Sequence, residues 1–219
     1  MFPYASRHSS ADAARAKVRA LQRAATTFRQ TEQPRLYGHV HPHGHATAKL
    51  ARAFAALLAP DCPPRALDEV ELGAHLHDIG KYLIPESILF KAGALTDEER
   101  EVVSFHPAYG AHILKGLPGV TDTIHRIVLC HHERWDGWGY PAGLDGARIP
   151  FAARLVAVCD VYTSLRARRP YKPPLPRRAA LATLEAMAGR ELDPTMVEAF
   201  RRLLAHARRH AHAFRHASG

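Results

Sequence analysis

Cysteine is scarce in this chain: 219 residues include three, Cys62, Cys130 and Cys159. An odd count with no Cys-x-x-Cys pair argues against a disulfide framework and points to reduced thiols in a cytoplasmic protein. Cys130 and Cys159 stand beside His131 and Asp160. Thiolate ligation is conceivable there, but buried thiols usually behave as small hydrophobes, so core packing is the expectation. Long apolar runs are also missing. None approaches the ~18 residues of a membrane span, and even "ARLVAVCDVY" carries ionisable side chains. Acids nearly vanish from the first 30 residues, where Asp12 stands alone. That Arg-, Ala- and Ser-rich stretch resembles an organellar transit peptide in composition, but Val18, Leu21, Ala25 and Phe28 fall near helical spacing, and an amphipathic helix is expected instead. It has no apolar region of the secretory type. Finally, no convincing set of strands is present, and "RLVAVCDV" continues its apolar pattern past strand length.

What the chain has is basic charge and histidine. The formal net charge is +9, from 30 Lys and Arg against 21 Asp and Glu. The surplus lies in the first 30 residues and from Arg166 onward, while the middle is nearly balanced. No aromatic RNP-like motif or zinc-finger spacing accompanies it, so a nucleic-acid polymer is not the expected partner. Arg168, Arg169 and Lys172 are placed to meet a phosphate-bearing ligand. With 47% hydrophobic and 23% charged residues, the chain can bury a sizeable core.

Helical patterns dominate. "HATAKLARAFAALLA" is filled with helix formers up to Pro60, and "ALDEVELGAHLHDIG" follows after a proline-rich connector. Thr96 with Glu99 three residues later forms a capping-box pattern for another helix. "HPAYGAHILKGLPG", "VTDTIHRIVLCHHE" and "IPFAARLVAVCDVYTSLRA" continue the series, with a glycine-rich loop between Gly137 and Gly146. Two more helices, near 177–188 and 194–210, follow the proline-rich "RRPYKPPLP". The expected fold class is all-α, a bundle of roughly eight or nine helices. A basic helical extension is expected over 1–35, the main helical domain over 36–205 and a His/Arg-rich tail over 206–219.

Sixteen residues are histidine. Four separated places set imidazole or carboxylate at a helix end, beside a breaker or within an apolar helix: His77-Asp78, His106 before Pro107, His131-His132, and Asp160. An unpaired carboxylate inside "LVAVCDVY" would cost several kcal/mol, so Asp160 either caps a neighbouring helix or faces a cation. Adjacent helix residues point about 100° apart, which suits two sides of a bimetal centre. Imidazole with carboxylate favours Fe, Mn, Zn or Ni. Two ions ~4 Å apart can clamp a phosphate for in-line attack.

The blocks "HLHDIGK", "IPESILFKAG", "HPAYGAHIL", "HHERWDGWGYPAGL", "IPFAARLVAVCDVYTSL" and "RRPYK" occur in order. Together they resemble the HD-GYP family, a branch of the HD phosphohydrolases, over about residues 36–205. The resemblance implies an HD-domain-like helical bundle with a two- or three-metal site that hydrolyses cyclic di-GMP. It implies metal ligation by His77, Asp78, His106, His131, His132 and Asp160. Asp78 and Lys81 would be catalytic, with Lys81 near the scissile phosphate. Asp136, Gly137, Gly139, Tyr140 and Pro141 would form the signature loop, and Arg169 and Lys172, with Lys81, would contact substrate. Two divalent ions, Fe or Mn first and Zn or Ni next, are the implied cofactors.

One further ligand must come from "HVHPHGHATAKLA". From His43, steps of four, seven, eleven and fourteen reach Thr47, Leu50, Phe54 and Leu57, whereas from His45 they reach Lys49, Arg52, Ala56 and Ala59. A ligand faces the core stripe, so His43 is the expected one, with His45 as the alternative. His39 stands where three-metal members carry glutamate, which leaves a third ion open. Thr163 stands where the family often has aspartate, which predicts altered geometry but not lost binding.

The expected function is therefore a metal-dependent phosphodiesterase that converts cyclic di-GMP to linear pGpG, with GMP as a further product. The alternatives are hydrolysis of another nucleotide or cyclic dinucleotide, and a signalling module that binds a dinucleotide without turnover. The N-terminal region is a candidate surface for a homodimer or a protein partner.

Overall fold

The computed structural model describes residues 34–168 and 173–216, excluding the side chains of 34, 35, 37, 39 and 206–216. The expected N-terminal helix, Arg169, Lys172, the His39 side chain and the imidazoles of the tail lie outside what is described. The described residues form helices and connecting turns, with β-pairing limited to isolated bridges such as Asp136 with Asp145. None of these helices is long and apolar enough to cross a membrane.

In chain order the α-helices are α1 (Pro34–Leu58), α2 (Pro64–Leu76), α3 (Glu86–Leu89), α4 (Asp97–Ser104), α5 (His106–Leu114), α6 (Asp122–Cys130), α7 (Phe151–Arg166), α8 (Arg177–Met187) and α9 (Pro194–His216). A 3-10 turn spans Ile79–Leu83. Local chemistry sets several starts. Helix α2 opens with proline at its first position, where no backbone N–H is needed. In α4 the capping box is complete: the Glu99 amide donates to Thr96 Oγ1 at 3.2 Å, and the Thr96 amide donates to Glu99 Oε2 at 2.8 Å.

Helix α7 is the axis of the bundle. Leu155, Val156, Ala157, Val158 and Cys159 are buried in succession, so every face of the helix is covered. Helices α1 and α6 cover one part, and α8 and α9 another. The main core joins α1 to α9 through Phe54 and Phe200, whose rings meet edge-on at 5.2 Å. Truncating either fully buried ring to alanine removes ~3–5 kcal/mol of stability. Cys130 and Cys159 are buried and uncrosslinked, and burial pushes both thiols up, Cys130 to about 11.

Two departures from the sequence reading bear on the site. Helix α1 begins at Pro34 and continues through Pro42, so the four closely spaced histidines lie within it. The other difference concerns the His-Asp and His-His pairs. Helix α2 stops at Leu76 and α6 at Cys130, with His77 and His131 as their C-terminal caps. Asp78 and His132 lie in the turns beyond, so the divergence of each pair comes from a helix end and not from two steps around one helix.

Close backbone approach brings these ends together. A side chain at Gly80 would put its Cβ 1.9 Å from the His106 carbonyl oxygen and 2.5 Å from the Gly110 nitrogen. Glycine at this position lets the 3-10 turn lie directly on α5, which carries His106 to Asp78.

Candidate metal centre

Seven side chains from five chain segments converge. Asp78, His106, His131 and His132 form one group, and His43, His77 and Asp160 a second, each with its donor atoms within 4.8 Å of one another. Asp78 connects them. Its Oδ1 lies 3.3 Å from His106 Nε2 and 3.9 Å from His131 Nε2, while its Oδ2 lies 3.5 Å from His77 Nε2. His77 Nε2 is 3.6 Å from Asp160 Oδ1, which accepts from His43 Nε2 at 2.7 Å.

One device orients three of the imidazoles. His77 Nδ1 donates to the Ala74 carbonyl at 2.7 Å, His106 Nδ1 to Val103 at 2.8 Å, and His131 Nδ1 to Val128 at 2.9 Å. Each acceptor lies three residues earlier, among backbone carbonyls freed at a helix end. A carbonyl can only accept, so each Nδ1 carries the proton and each Nε2 faces the centre. This is the arrangement that fixes a metal-ligating tautomer.

The resulting site fits a cation. His106 Nε2 and His131 Nε2 lie 3.2 Å apart. With both Nδ1 atoms protonated, neutral rings direct two lone pairs at each other. His77 Nε2 and Asp78 Oδ1 are buried without a hydrogen-bond partner. Such atoms are costly unless a positive centre joins them. The nitrogen and carboxylate donors suit a divalent transition metal.

The electrostatics divide the imidazoles. Burial depresses His77, but the Asp78 and Asp160 carboxylates outweigh it and raise its pKa to about 9. Burial and the neighbouring His106 drive His132 down to about 3, and burial with His132 holds His131 well below its ordinary value. Burial would raise Asp78, yet Lys81 and His77 hold it well below the usual carboxylate range. Asp160 is likewise held low against burial, by its bond from His43 and by the nearby His77 imidazole. Both carboxylates are therefore charged near neutrality. Lys81 Nζ donates to Asp78 Oδ2 at 2.6 Å.

A groove of about 560 Å³ opens beside the centre. Asp78, Lys81, His132 and Asp160 reach it, with Thr163, Ser164, Arg166 and Arg168 along α7 and its exit. Its size is that of a small-molecule site. Arg166 is partly committed, since one guanidinium N–H donates to the Leu175 carbonyl at 2.6 Å. Thr163 Oγ1 lies 2.8 Å from Thr47 Oγ1 of α1 and also bonds the Cys159 carbonyl at 2.9 Å.

The signature loop packs on the turn after α6. Gly137 adopts a left-handed φ of +80°. A Cβ on Gly139 would lie 2.3 Å from the Arg134 nitrogen and 2.6 Å from Glu133 Cα. Asp136 pairs with Arg134, at 2.6 Å from Oδ2, and is not directed into the groove. The Tyr140–Pro141 bond is cis. Tyr140 stacks on His132, its ring 4.9 Å away and inclined by 31°.

The structure thus gathers His43, His77, Asp78, His106, His131, His132, Asp160 and Lys81. His45 is exposed and lies edge-on to His75 at 6.2 Å, away from the centre. Three buried polar residues were not singled out from sequence: Thr47, Glu133 and Asp193. For Glu133 a signal was present, an acid immediately after two histidines in a glycine-rich segment.

A family model described as an HD domain matches residues 14–196. A cyclic di-GMP phosphodiesterase response regulator of Xanthomonas campestris is 46% identical over 134 residues, covering 61% of this chain and 35% of the relative. A cyclic di-GMP phosphodiesterase of Thermotoga maritima is 43% identical over 136 residues, covering 62% of this chain and 37% of the relative. The chain thus spans about a third of the length of these curated relatives. Among solved structures, an HD-GYP protein from Bdellovibrio bacteriovorus superposes with a TM-score of 0.61 at 22% identity, over 76% of this chain and 52% of that one. The chain belongs to the HD-domain family.

Proposed function

We propose that this chain is a metal-dependent phosphodiesterase that opens cyclic di-GMP to linear pGpG. One observation carries the reading: Asp78 turns one oxygen toward each histidine group, as a carboxylate shared between two ions must. His43, His77 and Asp160 would hold one ion, and His106, His131 and His132 the other, with Asp78 available to both. Two divalent ions bound there, Fe or Mn by donor type, would activate a water for attack on phosphorus and neutralise phosphate charge.

The chain's own residues supply the rest. Lys81 is tethered to Asp78 and reaches the groove, so its ammonium would stabilise a phosphate oxygen that gains charge there. Arg168 lies at the groove exit, next to Arg169 in sequence, and this basic edge suits the second phosphate of a cyclic dinucleotide. The relatives' names support that substrate class. With histidine at position 39, pGpG is the main product and GMP a slower one. The catalytic unit occupies 36–205, and the preceding basic segment is a surface for a partner or a second copy.

The test is turnover of cyclic di-GMP, of other cyclic dinucleotides and of simple phosphodiesters by metal-loaded protein, with products resolved by chromatography. Preferential consumption of cyclic di-GMP supports the reading. Preference for another substrate moves it to a different phosphohydrolase, and tight binding without consumption makes the chain a sensor.

A further inference from the structure

His132 differs from His77, His106 and His131 in how its ring is held. His77, His106 and His131 are each aimed by a backbone carbonyl three residues earlier. No hydrogen bond orients the His132 ring among the described residues. What holds it is contact: Tyr140 lies against one side at 4.9 Å and 31°, while His106 meets it edge-on at 4.9 Å.

Tyr140 is in turn held by the residue next to His132. Glu133 is 4% exposed, and its carboxylate grips the signature loop at two points. The Ala142 amide donates to Oε1 at 2.8 Å and the Leu144 amide to Oε2 at 2.9 Å. The Tyr140 amide closes the same loop onto the His132 carbonyl at 3.2 Å. A buried carboxylate satisfied by two backbone donors makes a stiff clamp, since charge-assisted bonds are short and strong.

We propose that Glu133 is a positioning residue for His132, acting through the loop and the stacked Tyr140 ring. The clamp sets the height and tilt of Tyr140, and Tyr140 sets the direction of the His132 donor nitrogen. Loop stacking thus replaces the carbonyl bond that His77, His106 and His131 use. The inference rests on His132 being a metal ligand.

The test uses the 219-residue chain with Glu133→Gln, Tyr140→Leu and the double variant. In Glu133→Gln one acceptor becomes an amide N–H₂ facing a backbone N–H, so one of the two bonds breaks. The His132 imidazole proton signal, assigned by its loss in His132→Asn, reports stacking directly because an aromatic neighbour shifts it. Zinc affinity by chelator competition reports ligation. Both single variants should move the His132 signal in the same direction. Both should weaken one of two zinc sites about 10-fold or more, the range for groups that orient metal ligands. The double variant should lose no more than the worse single one.

A His132 signal at its wild-type position in Glu133→Gln, with the Ala142 and Leu144 amide signals shifted, would overturn the proposal. So would losses of zinc affinity that add in the double variant. The imidazole signal is also read without metal, and it decides the matter in a chain that takes up no zinc. Should the wild-type chain bind zinc yet leave cyclic di-GMP intact, the function proposal falls and the positioning role stands on these readouts alone.

Discussion

His43 Nε2 donates to Asp160 Oδ1 at 2.7 Å across 117 residues of chain, joining the first described helix to the central one. Both side chains belong to the same donor group as His77. Replacing His43 with alanine should remove one of two bound ions and lower turnover by at least about 100-fold, beyond the usual cost of losing an orienting group. His45→Ala should leave both values unchanged, since His45 is exposed and pairs with His75. Elemental analysis of the two variants checks this, and the reverse pattern would move the ligand to His45.

Lys81 should separate binding from chemistry. It bonds to Asp78 but is not among the donor groups. Lys81→Ala should retain both ions and lose ~10²–10³ in kcat, the scale for removing one charge-stabilising donor. Metal content and steady-state kinetics on the same preparation decide this. Loss of the ions with the activity would make Lys81 a support for Asp78 only.

Thr47 and Thr163 pin α1 to α7 one turn beyond the His43–Asp160 contact. The Thr163 hydroxyl donates to a backbone carbonyl, so Thr47 donates to Thr163. Thr47→Val or Thr163→Val should each cost about 1 kcal/mol, and the double variant little more than either single one. Chemical denaturation measures all three, and strictly additive losses would show that the hydroxyls do not act as a pair.

The metal-free chain should be most stable near pH 6.5 as far as its buried imidazoles decide. His75 is lowered to about 4 by burial and then by His41, and His132 to about 3 by burial and then by His106. Between these values and 6.5 the unfolded chain binds protons that the folded chain refuses, so stability falls with acid. His77 has the opposite sign. Its folded pKa of about 9 exceeds the ordinary 6.5, so its contribution is complete below 6.5 and is lost as pH rises to about 9. Bound metal keeps His77 Nε2 unprotonated and should abolish the alkaline decline. Urea midpoints against pH, with chelator and with metal, test both limbs. An alkaline decline that persists with metal bound would place His77 outside the centre.

The sequence made much of this architecture legible. Thr96 and Glu99 mark a helix start by chemistry alone, and the ordered blocks around His77-Asp78 and His131-His132 mark the centre. Less legible was anything that depends on where a helix ends. Pro42 looks like a boundary, yet α1 runs through it. The carbonyls of Ala74, Val103 and Val128 aim three histidines, and a backbone carbonyl leaves no trace in residue identity. Periodicity had no purchase on Asp160, because α7 is buried on successive faces. Glu133 bonds only to backbone amides nine and eleven residues away, so no partner residue type announced its role.

The central claim is that Asp78 joins two ions into one phosphodiester-cleaving centre. Its most direct test is anaerobic purification of wild type and Asp78→Ala, with elemental analysis and chromatography of cyclic di-GMP products. The account predicts two or more ions per wild-type chain and linear pGpG, with metal and turnover both lost in the variant. Full turnover by Asp78→Ala, or wild-type protein holding its ions while leaving cyclic di-GMP uncut, would contradict it.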